Sequence, residues 1–308
     1  MNEQHLNDYS NDLGLALSSL ELIKENKYCL IYMATSQEGP CIIKKYKTGD
    51  PKLAVIEAQA LSFYHSLAQE EPRLIDSGEP RLKEEKRLLS MGFVEGDPFS
   101  EVLREARKDA SLRKRCVRLM EILGTVLRTM HEKTQRPGEK TSPFIFEYFD
   151  YSSRRLEGIP VLGRLLFKGL TSEAKELAQA FQEEKIVPSF VHGDFVFKNI
   201  HVKDERVGLI DFANANARSH PLNDICNLWF ALANMLLPKV FKRELLAGFF
   251  SGFGTMVFPE IAERFYHEYH RRRWLMLKLI SRNPSDVAQG LRGLLTFAKP
   301  FAHGVVDR

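Results

Sequence analysis

The residues best suited to chemistry lie in one stretch, Phe190–Asn216, FVHGDFVFKNIHVKDERVGLIDFANAN. His192-Gly193-Asp194 opens a turn, and Asn199 stands five residues after Asp194. Ile200, His201 and Val202 read as a short strand, Asp204-Glu205-Arg206 as a turn, and Val207–Ile210 as a returning strand. Antiparallel pairing about that turn brings Asn199 beside Asp211, with Asp194 on the loop just before. Two carboxylates and an amide oxygen at one point are hard-oxygen ligands of the kind Mg²⁺ takes. The same set suits phosphoryl transfer. One Asp and the Asn hold metal on the phosphates, while the other Asp orients an attacking hydroxyl and accepts its proton. Taken singly, each residue is explained by a turn or a strand end. The three together at this spacing point to chemistry.

HGD, four further residues, Asn, and then an Ile-Asp-aromatic triplet resembles the aminoglycoside phosphotransferase and choline kinase group, the small-molecule branch of the protein-kinase-like fold. The resemblance implies an α+β, two-lobed fold with a small β-rich N-lobe and a larger, mainly helical C-lobe. It also implies ATP as donor, Asp194 as catalytic base, Asn199 and Asp211 as Mg²⁺ ligands, and His192 in support. Protein kinases carry HRD and usually a Lys two residues after that Asp. Gly193 and Val196 stand at those places here.

Further elements must position such a site. Tyr28–Ala34 and Cys41–Tyr46 read as strands joined by a polar turn over residues 35–40. Asp50-Pro51 then suits a helix start. Leu53, Glu57, Ala60, Leu61 and Tyr64 fall on one face of that helix. A carboxylate on an apolar face needs a partner. Lys44 on the neighbouring strand is the candidate, with Lys45 the fallback if the register shifts by one. The pair matches the family's Lys and Glu-Ala pattern, which implies a lysine held on the α- and β-phosphates. The family's glycine-rich turn is missing, since Leu20–Ala34 contains no glycine, and Asn26-Lys27 is the expected turn. MGFVEGDPF resembles the family's crossing between lobes. In that likeness, backbone near Phe93 and Val94 meets adenine, Met91 lines the pocket, and the lobes divide as 1–95 and 96–308.

In the C-lobe, Ser111–Lys133 is an amphipathic helix, with His131 a core residue at its end. Leu74, Ile75, Leu82 and Arg87–Val94 suggest further N-lobe strands, and residues 1–15 a loose or partly helical lead. Residues 134–170 form an irregular insertion placed to hold substrate, and Thr171–Lys185 is a helix. His220-Pro221-Leu222-Asn223-Asp224 precedes an apolar helix. Asp224 suits its N-cap and, by resemblance, a brace for the catalytic loop, two readings that are compatible. His267 and His270 read as surface or packing residues.

The chain has 308 residues, 44% of them hydrophobic, enough for a sizeable core. A net charge of +4 does not by itself argue for nucleic acid. Cys29, Cys41, Cys116 and Cys226 show no CxxC spacing, so a reducing, cytoplasmic setting is expected. The polar N-terminus does not read as a signal peptide, and no apolar run reaches the ~18 residues of a membrane span. The leading reading is an ATP-dependent phosphotransferase acting on a hydroxyl of a small molecule or glycan. Arg154, Arg155, Arg164 and Lys168, with Arg271, Arg272, Arg273, Lys278 and Arg282, favour a carbohydrate-type acceptor over an aminoglycoside or choline. A protein kinase and a catalytically weak nucleotide-binding scaffold of the same fold are the alternatives.

Overall fold

The computed structural model describes residues 3–26, 28–47, 52–135, 170–183, 187–254 and 258–280. The Asp50-Pro51 helix start, the body of the 134–170 insertion with its four basic residues, and Arg282 lie outside them. The fold is α+β, a five-stranded antiparallel sheet followed by a helical C-lobe.

The sheet is ordered β1-β2-β3-β5-β4, from β1 (Leu17–Glu25), β2 (Cys29–Ser36), β3 (Gly39–Tyr46), β4 (Arg81–Lys83) and β5 (Leu88–Gly92). Both of its faces are covered. Helix α1 (Glu3–Leu13) packs Tyr9 and Leu13 against Leu20, Ala34, Cys41 and Ile43. The lead expected to be loose is thus a full helix, because Tyr9 and Leu13 lie on one face and have an apolar sheet to cover. Helix α2 (Lys52–Glu70) covers the other face, where Ile42, Tyr46, Leu89 and Met91 join the main core. Side chains alternate along β3. Cys41 and Ile43 face α1, and Ile42, Lys44 and Tyr46 face α2. This alternation puts Lys44, not Lys45, opposite Glu57.

Leu74 and Ile75 do not form a strand of that sheet. Leu74 makes one parallel bridge to Val207, with the Ile75 N–H donating to Val207 O at 2.8 Å. The N-lobe therefore joins the Ile200–Leu209 hairpin directly. Tyr64 of α2 strengthens the junction. Its hydroxyl donates to Ile75 O at 2.9 Å and accepts from the Leu209 N–H at 3.0 Å.

Beyond β6 (Asp97–Pro98) and the short α3 (Phe99–Glu105), helix α4 (Ala110–Lys133) runs through the C-lobe. Asp109 caps it, accepting from the Ser111 and Leu112 amides at 2.8 and 3.0 Å. Helix α5 is Thr171–Gln182. After the hairpin come α6 (Leu222–Asn234), α7 (Lys239–Phe253) and α8 (Glu260–Ile280). Helices α4 and α7 approach through glycine. A Cβ on Gly252 would stand 1.8 Å from Glu121 O, and one on Gly124 would stand 2.1 Å from Phe249 O. No described helix is long and apolar enough to cross a membrane.

Candidate active site

The His192–Asn199 loop lies between β7 (Ser189–Val191) and the hairpin of β8 (Ile200–Lys203) and β9 (Arg206–Leu209). Ile200 faces Leu209, and the Ile210 N–H donates to Asn199 O at 3.0 Å. Asn199 is thereby tied to the residue just before Asp211. Its side-chain amide donates to Asp194 O at 2.9 Å and to Asp194 Oδ2 at 3.0 Å. The donors of that amide are in use, so its Oδ1 is the atom left to act as a ligand.

Asp211 takes a left-handed backbone, φ +65°. A non-glycine residue holds that conformation at some cost, and such positions cluster at functional sites. Lys44 Nζ lies 3.2 Å from Asp211 Oδ1 and 2.7 Å from Glu57 Oε1. Glu57 is fully buried, and its second oxygen accepts the Tyr46 hydroxyl. Burial alone would lower the pKa of the Lys44 ammonium, but Glu57 and Asp211 outweigh it and hold it above the ordinary lysine value. For Asp211, burial opposes the charge, and the neighbouring ammonium overcomes it and keeps the carboxyl ionised below its usual range. An ionised carboxylate at Asp211 and an amide oxygen at Asn199, whose backbone is bonded to the residue before Asp211, are a donor set that fits Mg²⁺, which keeps several waters and phosphate oxygens of its own. Among the described residues there is no group of three or more His, Cys, Asp and Glu arranged for a metal.

Asp224 serves as the brace and not as the cap. Its Oδ2 accepts the His192 N–H and its Oδ1 the Gly193 N–H, each at 2.8 Å. His131 Nε2 stands 3.4 Å away. The α6 N-cap is Pro221. Gly193 has φ +79°, and a Cβ there would come within 1.9 Å of Asn214 O, so only glycine fits this turn. His192 Nε2 donates to Ile210 O at 3.0 Å, leaving Nδ1 to accept the Asp194 N–H at 3.3 Å.

The turn between β1 and β2 contains no glycine. Asn26 Oδ1 accepts the Tyr28 and Cys29 amides at 2.7 and 2.8 Å, so this turn closes on its own side chain. At the crossing between lobes, the Phe93 N–H is already taken by Pro40 O at 3.1 Å. Met91 and Val94 are buried.

A cleft of about 720 Å³ opens on the far side of Asp194, lined by residues that include Arg104, Arg107, Lys198, Asn227, Arg273 and Trp274. Glu268 takes both Arg271, at 2.5 Å, and Arg272, at 2.6 Å. Arg273 instead points inward, donating to Asn227 Oδ1 at 3.1 Å and standing 3.8 Å from Asp194 Oδ1. Asn227 in turn donates to Gly193 O at 3.2 Å. Sequence reading missed Asn227, although it lies three residues after Asp224 on one face of an apolar helix. Nothing in the RRR run distinguishes Arg273 from its neighbours. His270 is a packing residue, with Nε2 2.8 Å from Asn223 Oδ1.

Three solved structures illustrate the likeness of the fold. An amicoumacin kinase with AMP-PNP, Ca²⁺ and amicoumacin bound aligns at TM-score 0.61 and 14% identity, over 95% of this chain and 92% of that one. Choline kinase LicA from Streptococcus pneumoniae aligns at 0.58 and 14%, over 96% and 99%. The GDP and kanamycin complex of APH(2")-IIia aligns at 0.57 and 14%, over 96% and 98%. No curated protein matches the chain. Residues 30–273 match the model of APH, the phosphotransferase enzyme family, and the chain belongs to that family.

Proposed function

We propose that the enzyme transfers the γ-phosphate of ATP to a hydroxyl of a small molecule or glycan, with Asp194 accepting the hydroxyl proton. One observation carries this reading. Asp194 and Asn199 are joined at 3.0 Å, while Lys44, anchored on buried Glu57, reaches Asp211 at 3.2 Å. Lys44 then meets the α- and β-phosphates, and Asn199 and Asp211 hold the divalent ion. Mg²⁺ bound there would supply charge neutralisation on the phosphate oxygens. With the Phe93 amide engaged, Val94 is the donor assigned to the base, and Met91 lines its pocket. The self-closed turn at Asn26 withholds two amides from the phosphates, which throws more of their binding onto Lys44. We assign the activity to the cytoplasm, where ATP is available and the four buried free thiols suit a reducing setting.

The span between Asp211 and Asp224 weighs against a protein substrate. Residues Phe212–Asn214 form a 3₁₀ turn, and Asn216–Ser219 form strand β10, paired with β7. That leaves no length for a peptide platform.

For the acceptor, we favour a carbohydrate-type hydroxyl. Among the described residues that line the cleft, Asp194 is the only carboxylate, whereas a polycation would need several. The test compares kcat/KM for kanamycin-like amines, choline, and neutral and acidic sugars. Sugars should be the better acceptors. A clear preference for the cations would refute this acceptor and leave phosphotransfer intact.

A further inference from the structure

Four cations line the Asp194 cleft, and they come from separate parts of the C-lobe. Arg104 lies on α3 and Arg107 just beyond it, Lys198 lies in the 3₁₀ turn before Asn199, and Arg273 comes from α8. Among the described residues of the lining, four cations stand against the single carboxylate of Asp194, an excess of three positive charges. Lys198 Nζ and Arg273 Nη2 flank that carboxylate at 3.5 and 3.8 Å. Arg104 and Arg107 are exposed and have no carboxylate partner among the described residues. Arg273 is different in kind, because it is mostly buried and its direction is set by Asn227. A guanidinium fixed in this way costs little further ordering when it receives a planar or tetrahedral anion. The same lining carries a group of apolar side chains, Phe230, Met235, Leu237 and Trp274, with Leu236 at 78% exposure.

We infer that this cleft binds an acceptor alcohol that carries its own anionic group, a phosphate or a carboxylate, together with an apolar or ring face. The inference rests on Asp194 being the base, since that places the cleft on the acceptor side. The cations hold the anion and the apolar group with Trp274 takes the ring face, which leaves a hydroxyl within reach of Asp194. A like charge on the acceptor and on the transferring phosphate would repel, and the excess positive lining offsets that repulsion.

The experiment is calorimetry on the full chain with Mg·AMP-PNP saturating, titrating inorganic sulfate, acetate and tetramethylammonium in turn. One or both anions should bind saturably and tetramethylammonium should not. Stronger binding of sulfate identifies a phosphate-type group, and stronger binding of acetate a carboxylate. In the Arg104→Gln/Arg107→Gln double variant, both changes being at exposed positions, anion affinity should fall about tenfold. Binding of neither anion, equal binding of tetramethylammonium, or unchanged affinity in the double variant would overturn the inference. AMP-PNP binding is measured first, and the anion titration is repeated without nucleotide. A chain that fails to bind nucleotide yet still binds anions would refute the phosphotransfer reading and not the anion site.

Discussion

Asp194→Ala lowers turnover by roughly a hundredfold or more while Mg·ATP still binds, since a positioned base contributes about that much. Asp194 touches neither Lys44 nor Glu57, so the nucleotide side is expected to survive its loss. Asp211→Ala gives the opposite pattern. It removes the carboxylate 3.2 Å from Lys44 Nζ, and Mg²⁺-dependent nucleotide binding should be lost with it. Equilibrium binding of a fluorescent ATP analogue, with and without Mg²⁺, separates the two variants. Wild-type turnover in both would place the chemistry elsewhere.

Asp224→Ala is expected to be as damaging, although Asp224 touches no reactant. Its carboxylate is buried and accepts the His192 and Gly193 amides at 2.8 Å each. Removing it leaves two buried N–H groups without partners, each costing about 1–3 kcal/mol. The loop would also lose the geometry that places Asp194, and a small misplacement of a reacting group can cost about a hundredfold in rate. Thermal unfolding and turnover should therefore fall together. Asp224→Asn retains one acceptor and should fall between the two. Normal turnover in Asp224→Ala would show that the loop holds its shape without the brace.

Much of this was legible in the sequence because it depends on short-range pattern. The hairpin from Ile200 to Leu209 follows from a turn between two apolar runs. Helix α4 begins one residue from its expected start because Asp109 caps it locally. Lys44 and Glu57 could be paired because alternation in β3 and helical spacing in α2 each fix a face. The features that escaped are non-local. Leu74 and Ile75 are apolar enough for a strand, but they meet the catalytic hairpin of the other lobe. The Phe93 amide carries no mark of its capture by Pro40, more than fifty residues earlier. Arg273 is chemically the same as Arg271 and Arg272. Only the presence of Glu268 one turn back, and of Asn227 across the helix interface, separates it from them.

Tyr64 has a further consequence. It lies seven residues, two helical turns, after Glu57 on α2, and its hydroxyl bridges Ile75 O and the Leu209 N–H. Enzymes of kinase-like shape can be switched by swinging the helix that carries the glutamate away from its lysine. Here the same helix is pinned to the hairpin that carries Asp211, so swinging it out would strand a buried hydroxyl and a buried amide. This pinning favours a Lys44–Glu57 pair that stays made in the apo enzyme. The Leu209 amide reports on this directly. Its hydrogen exchange should be as slow as that of the core strands in the apo enzyme, and should change little when nucleotide is added.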